Sequence, residues 1–155
     1  MYSFGYDKSK GLLVGLHTGG GEVDLDADAD IYIQTLKQLE MDNPFLRVGV
    51  ASIIVVEDGY PRPNANIRKR LAEIRSATKV LFYFSLVTSS VLARGVVTAL
   101  NWIQPSPPNC FTVTHPDFQS AVRWVEQKRG QKEPSLVDLY AKACARAGRT
   151  IQAIR

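Results

Sequence analysis

Val80-Leu81-Phe82-Tyr83-Phe84-Ser85-Leu86-Val87, followed by Thr88-Ser89-Ser90 and then by the apolar run Val91 to Ile103, is the stretch on which the fold turns. Its first eight residues are apolar at odd and even positions alike. A strand with that pattern must be covered on both faces, so it belongs in the middle of a sheet. The three hydroxyl residues fall where the following helix needs an N-cap. They also fall at the carboxyl end of a central strand, where open α/β folds place their working groups. The apolar run after them reads as a helix whose Gly95 and Ala99, one turn apart, allow close approach to the sheet. Arg94 is the one charge within it. Its long stem suits snorkelling to the helix edge.

Outward from this centre, Phe45 to Val56 is a second long apolar segment and reads as a neighbouring parallel strand. Before it, alternating Asp24, Asp26, Asp28 and Asp30 lead into a helix that is expected to begin at Asp28 or Asp30 and to end near Met41. Ile33, Leu36 and Leu39 form its inner stripe. The alternating carboxylates lack the turn glycine and closing glutamate of a calcium loop, so no metal is implied. Tyr2 to Tyr6 and Leu12 to His17 read as an opening hairpin. Gly19-Gly20-Gly21 reads as a flexible connection, because no Gly-Lys-Ser/Thr follows it.

After the second long strand, Glu57-Asp58-Gly59-Tyr60-Pro61-Arg62-Pro63 is a loop stiffened by two prolines, and Asn64 caps a helix to about Ser76. Arg68, Lys69, Arg70 and Arg75 lie off its apolar stripe and are expected to reach water. Beyond Pro105 to Pro108, Cys110 to Thr114 alternates as a peripheral strand should. A helix from about Phe118 ends at Gly130, and Ser135 is expected to cap a last one. His17 and His115 each end a strand and read as turn or capping residues. The fold class is therefore α/β: a mixed, mostly parallel sheet of about five strands with an N-terminal hairpin and packing helices.

Length bounds the organisation. The 155 residues suit one domain over 1–155, with 134–150 a helical extension at its end. No apolar run reaches the roughly 18 residues that a membrane span requires. The N-terminal segment lacks a secretory pattern, and two cysteines make no disulfide framework, so a cytoplasmic setting is expected. The net charge is +4 but unevenly spread: residues 1–60 carry four basic and ten acidic side chains, and residues 61–155 carry fifteen and five. The basic residues are dispersed over three predicted helices without a nucleic-acid-binding motif, so nucleic acid is not the expected partner.

The element order and the Val87-Thr88-Ser89-Ser90-Val91-Leu92 corner together resemble a STAS or SpoIIAA-like domain, a bacterial α/β domain that includes the anti-anti-sigma factors. The resemblance spans about residues 1–130. In those factors a central strand leads into Asp-Ser-Ser-Gly and then a helix, and a serine of the pair is phosphorylated to switch partner binding. Ser89 and Ser90 match the two serines, while Thr88 stands at the aspartate and Val91 at the glycine. The Tyr60-to-Asn64 loop and the helix carrying Arg94 look like features of one bacterial branch of such proteins.

The resemblance implies a non-enzymatic regulatory or protein-interaction module in bacterial signalling, with no cofactor. Thr88, Ser89 and Ser90 would be the partner-binding or phosphorylation candidates, with Asp58, Tyr60, Arg62 and Arg94 beside them. Plain N-capping by the serines is the simpler reading of the same residues. The alternative function is a small-ligand or lipid-binding domain of SEC14-like layout, with an apolar cavity between helices and sheet. No Gly-x-Ser-x-Gly elbow surrounds Ser89, and no cysteine lies beside a histidine, so an enzyme is not expected. A homodimer through the hairpin edge or the last helix is a further expectation, since exposed edges invite pairing.

Overall fold

A computed structural model describes residues 1–95 and 106–150. Its centre is a five-stranded sheet of order β1-β2-β3-β4-β5, with β1 Tyr2–Asp7, β2 Leu12–His17, β3 Val50–Val56, β4 Phe82–Val87 and β5 Cys110–His115. The first pair is antiparallel and the other three are parallel. The α/β class, the hairpin and the mixed, mostly parallel sheet are as the sequence predicts.

Parallel neighbours taken in sequence order need a crossover at each step, and right-handed crossovers put the connecting helices on one face. Helices α1 (Leu25–Asp42) and α2 (Ala65–Ala77) share such a face. There Tyr32, Leu36 and Leu39 of α1, with Leu71 and Ile74 of α2, pack over Tyr2, Leu13, Val50, Ile54 and Phe82. The opposite face is covered by α3 (Phe118–Arg129) and α4 (Ser135–Arg146). Phe118, Ala121, Val125, Leu136 and Leu139 close it over Leu12, Val14, Ala51, Ile53 and Tyr83. The last helix is therefore half of one core layer. It seats against β1 so closely that a Cβ on Gly5 would lie 2.3 Å from the Leu139 carbonyl oxygen.

Several local expectations are corrected. Helix α1 starts earlier, at Leu25, because Asp24 accepts the Ala27 N–H and caps it. Strand β3 starts later, at Val50. Residues before it turn through Gly49 at φ 80°, and Phe45 is 92% exposed. Ser135 makes no cap bond; Pro134 is the N-cap of α4, and the Ser135 hydroxyl accepts from Lys10 Nζ. Arg70 does not simply reach water but pairs with Asp30 of α1. Asn64 caps α2 and Gly130 ends α3 at φ 67°, as expected; α3 is capped by Asp117, which accepts the Ser120 N–H.

Residues 91–95 are helical. Val91 and Leu92 are 74% and 62% exposed. A Cβ on Gly95 would meet nothing within 4 Å, so this glycine marks no close approach. The remainder of the predicted helix, 96–103 with Ala99, lies outside the described residues. No helix among the described residues is long and apolar enough to cross a membrane.

Candidate functional site

Because β2 to β5 run parallel and in register, His17, Val56, Val87 and His115 all reach one edge of the sheet. The loops that leave this edge are the candidate site. They are locked to one another by the backbone. Glu57 N–H donates to the His17 carbonyl at 3.0 Å, and Thr88 N–H donates to that of His115 at 3.1 Å. Gly19 presses on the 58–60 backbone, where a Cβ would lie 2.7 Å from the Gly59 carbonyl carbon. Arg149 then ties both loops, donating to the Gly19 carbonyl at 3.1 Å and to Glu57 Oε2 at 3.0 Å. The glycine triplet thus begins in close contact rather than as a loose tether.

The three hydroxyl residues take three different roles. Thr88 is buried, and its hydroxyl accepts the Ser90 N–H within the turn. Ser90 is the helix cap: its Oγ accepts the Ala93 N–H at 3.2 Å. Ser89 alone is exposed, and its hydroxyl donates to Asp58 Oδ1 at 2.5 Å. Arg94 folds back instead of running out along the helix, and its Nη1 donates to the Thr88 and Ser89 carbonyls at 2.6 and 3.0 Å. That clamp fixes the direction in which Ser89 points. The presented surface is therefore Ser89 with Asp58, flanked by the exposed side chains of Val91 and Leu92. Thr88 belongs to the scaffold beneath it. Arg62 is exposed in the neighbouring proline loop.

Tyr60 faces inward. Its ring lies tilted against that of His17, with centroids 4.6 Å apart, and its hydroxyl donates to Asp28 Oδ2 at 3.0 Å. Burial and the Asp28 charge push the Tyr60 hydroxyl above its ordinary range. Asp28 also accepts the Tyr2 N–H at 2.8 Å. The four alternating aspartates thus divide into a cap, an exposed residue, a buried acceptor and an ion-pair partner. Among the described residues no group of three or more His, Cys, Asp or Glu is placed to hold a metal ion.

The two histidines do not converge. His17 sits on the α1 face of β2 and His115 on the α3 face of β5, three strand steps or about 14 Å apart. His17 is enclosed by Tyr2, Tyr32 and Tyr60, and burial pulls its pKa down to about 4. His115 Nδ1 shares a 2.8 Å hydrogen bond with Ser85 Oγ, and Ser85 is completely buried, so that hydroxyl cannot meet a substrate. Neither histidine is a simple turn residue. Sequence reasoning missed the tyrosine enclosure, the Ser85–His115 bond and Arg149, because each joins residues far apart in the chain and leaves no local pattern.

Comparison with protein-family models, with curated proteins and with solved structures gave no match.

Proposed function

We propose that this chain is a non-enzymatic regulatory or protein-interaction module that presents the Ser89 corner to a protein partner. The observation that carries the reading is the exposed Ser89–Asp58 pair with two exposed aliphatic side chains, Val91 and Leu92, directly beside it. Apolar side chains bordering a polar contact on a fixed backbone are what a recognition surface offers. The order of elements and the Ser89-Ser90 match support a STAS or SpoIIAA-like role in bacterial signalling, in the cytoplasm. A phosphate on Ser89 would lose the hydrogen bond to Asp58 and be repelled by its charge, which would reshape this corner. The test is affinity purification from the native cell with wild-type, Leu92→Glu and Ser89→Ala baits, with phosphosite mapping of the corner. A partner retained by wild type and lost by Leu92→Glu supports the reading. Equal recovery by all three baits sinks it.

A second reading, small-ligand binding, has one observation in its favour. The Tyr2 hydroxyl and His17 Nδ1 are buried beneath α1 without a hydrogen-bond partner. Buried polar atoms of this kind call for a guest such as water or a small polar solute. They suit such a guest better than a lipid chain. Native mass spectrometry of freshly purified protein would reveal a retained solute, and a mass equal to the bare chain would remove this reading.

A further inference from the structure

The two edges of the sheet are treated differently. On β1 two of the backbone groups that face away from β2 are taken by side chains. Asp28 takes the Tyr2 N–H at 2.8 Å, and Arg146 Nη1 donates to the Phe4 carbonyl at 2.7 Å. Helix α4 adds Ser3 Oγ bonded to the Ala143 carbonyl. These contacts obstruct part of the hairpin edge for another strand.

Among the described residues, strand β5 has no such caps. Phe82 N–H donates to the Asn109 carbonyl at 2.8 Å and Thr88 N–H to that of His115 at 3.1 Å. Alternation along a parallel ladder then directs the backbone groups of residues 109, 111, 113 and 115 toward β4. Those of Cys110, Thr112 and Thr114 face outward. The Cys110 N–H is used by the Pro107 carbonyl at 2.9 Å, which leaves the Cys110 carbonyl and both groups of Thr112 and Thr114 on the rim. Cys-Phe-Thr-Val-Thr-His contains no lysine, no carboxylate and no proline, the residues that ordinarily guard an edge.

We propose that β5 pairs with β5 of a second copy of this chain, antiparallel, about a two-fold axis through Thr112. That register is self-complementary. Thr112 N–H meets the carbonyl of the second copy's Thr112 and the reverse, and Thr114 N–H meets that of Cys110 and the reverse, giving four bonds. It also sets Phe111 directly opposite the second copy's Val113 on one face. Phe111 is a large apolar side chain 41% exposed, held on its inner side by Tyr83 at 5.7 Å and by Lys128 at 5.5 Å. An aromatic ring against a β-branched neighbour is a favourable cross-strand pair. The occupant is a second copy rather than an unrelated peptide, because one uncharged strand supplies both the bonds and the matching side chains.

Sedimentation velocity over a wide concentration range tests this with the full chain. Wild type is expected to dimerise reversibly. Thr112→Pro removes an N–H that the intramolecular ladder does not use and so deletes two of the four bonds, weakening dimerisation about tenfold or more. Phe111→Lys keeps the backbone and weakens it too, with the native circular dichroism spectrum retained. The register is read separately. An oxidised mixture of F111C and V113C chains forms a disulfide-linked dimer, whereas neither does alone, because only the 111–113 pair is opposed. A monomer at every concentration, a dimer that both substitutions leave unchanged, or equal cross-linking of each cysteine variant alone overturns the proposal. So does a monomer that captures an extended peptide along β5.

Discussion

Arg129 and Glu133 face each other at 2.9 Å across the end of α3, with 1% and 2% of their side chains exposed. The arginine also donates from Nη2 to the Lys10 carbonyl at 2.6 Å, and Gln131 Nε2 donates to Glu133 Oε1 at 2.7 Å. One ion pair thus joins α3, the link into α4 and the β1–β2 turn. It is not fully satisfied, since Arg129 Nε and Nη1 have no well-aligned acceptor. Removing one member strands a buried charge, whereas replacing both with apolar residues does not. Glu133→Ala is expected to cost about 3–5 kcal/mol in urea unfolding, and Arg129→Met with Glu133→Leu is expected to recover most of that loss.

The seat of α4 on β1 is as tight. With the Leu139 carbonyl where a Gly5 side chain would go, Gly5→Ala must push the last helix away from the sheet. Overpacking of this kind costs about 1–3 kcal/mol. Faster hydrogen exchange through residues 135–146, with β3 and β4 still protected, would identify the helix as the part that moves. Unchanged exchange there would refute the assignment.

What was legible in the chain was its local periodicity. Strands β3 and β4 were readable because Ile53, Ile54, Phe82 and Tyr83 are apolar whichever way they point, and both faces are covered. The cap at Asn64 was readable because a short polar side chain has one favourable use before a helix. Asp28 defeated the reading of α1, because its carboxylate serves Tyr2 and Tyr60 from one turn inside the helix. Gly95 was read as a point of close approach to the sheet, but nothing packs against it, and the first turn after Ser90 leaves Val91 and Leu92 exposed. Within the candidate corner, sequence marked Thr88, Ser89 and Ser90 as one group. Only geometry separates the buried residue from the cap and from the exposed one.

That separation gives a prediction about the corner itself. Substitutions of exposed residues away from buried networks usually change stability by less than about 0.5 kcal/mol. Ser89→Ala and Leu92→Glu are expected to stay within that range in urea unfolding. Ser85→Ala, which takes the fully buried Ser85 hydroxyl from its bond to the half-buried His115, is expected to cost about 1–3 kcal/mol. If Leu92→Glu cost as much as Ser85→Ala, the outward orientation of that turn would be wrong.

His17 supplies the pH dependence. Enclosed by three tyrosines and 8% exposed, it is held neutral, with its pKa lowered from 6.5 to about 4 by burial. The nearby Asp28 charge opposes that shift without reversing it. A depressed folded-state pKa means that the unfolded chain takes up the proton first as the solution is acidified. The stabilising contribution is complete above pH 6.5 and is lost progressively as pH falls toward 4, by about 3 kcal/mol in all. His17→Phe keeps a ring in the enclosure and removes the titration. Its unfolding free energy is expected to fall less than that of wild type between pH 7 and pH 4.5, with the curves separating below pH 6.5. Parallel wild-type and variant curves across that window would show that His17 protonates freely in the folded protein, and the enclosure by Tyr2, Tyr32 and Tyr60 would have to be redrawn.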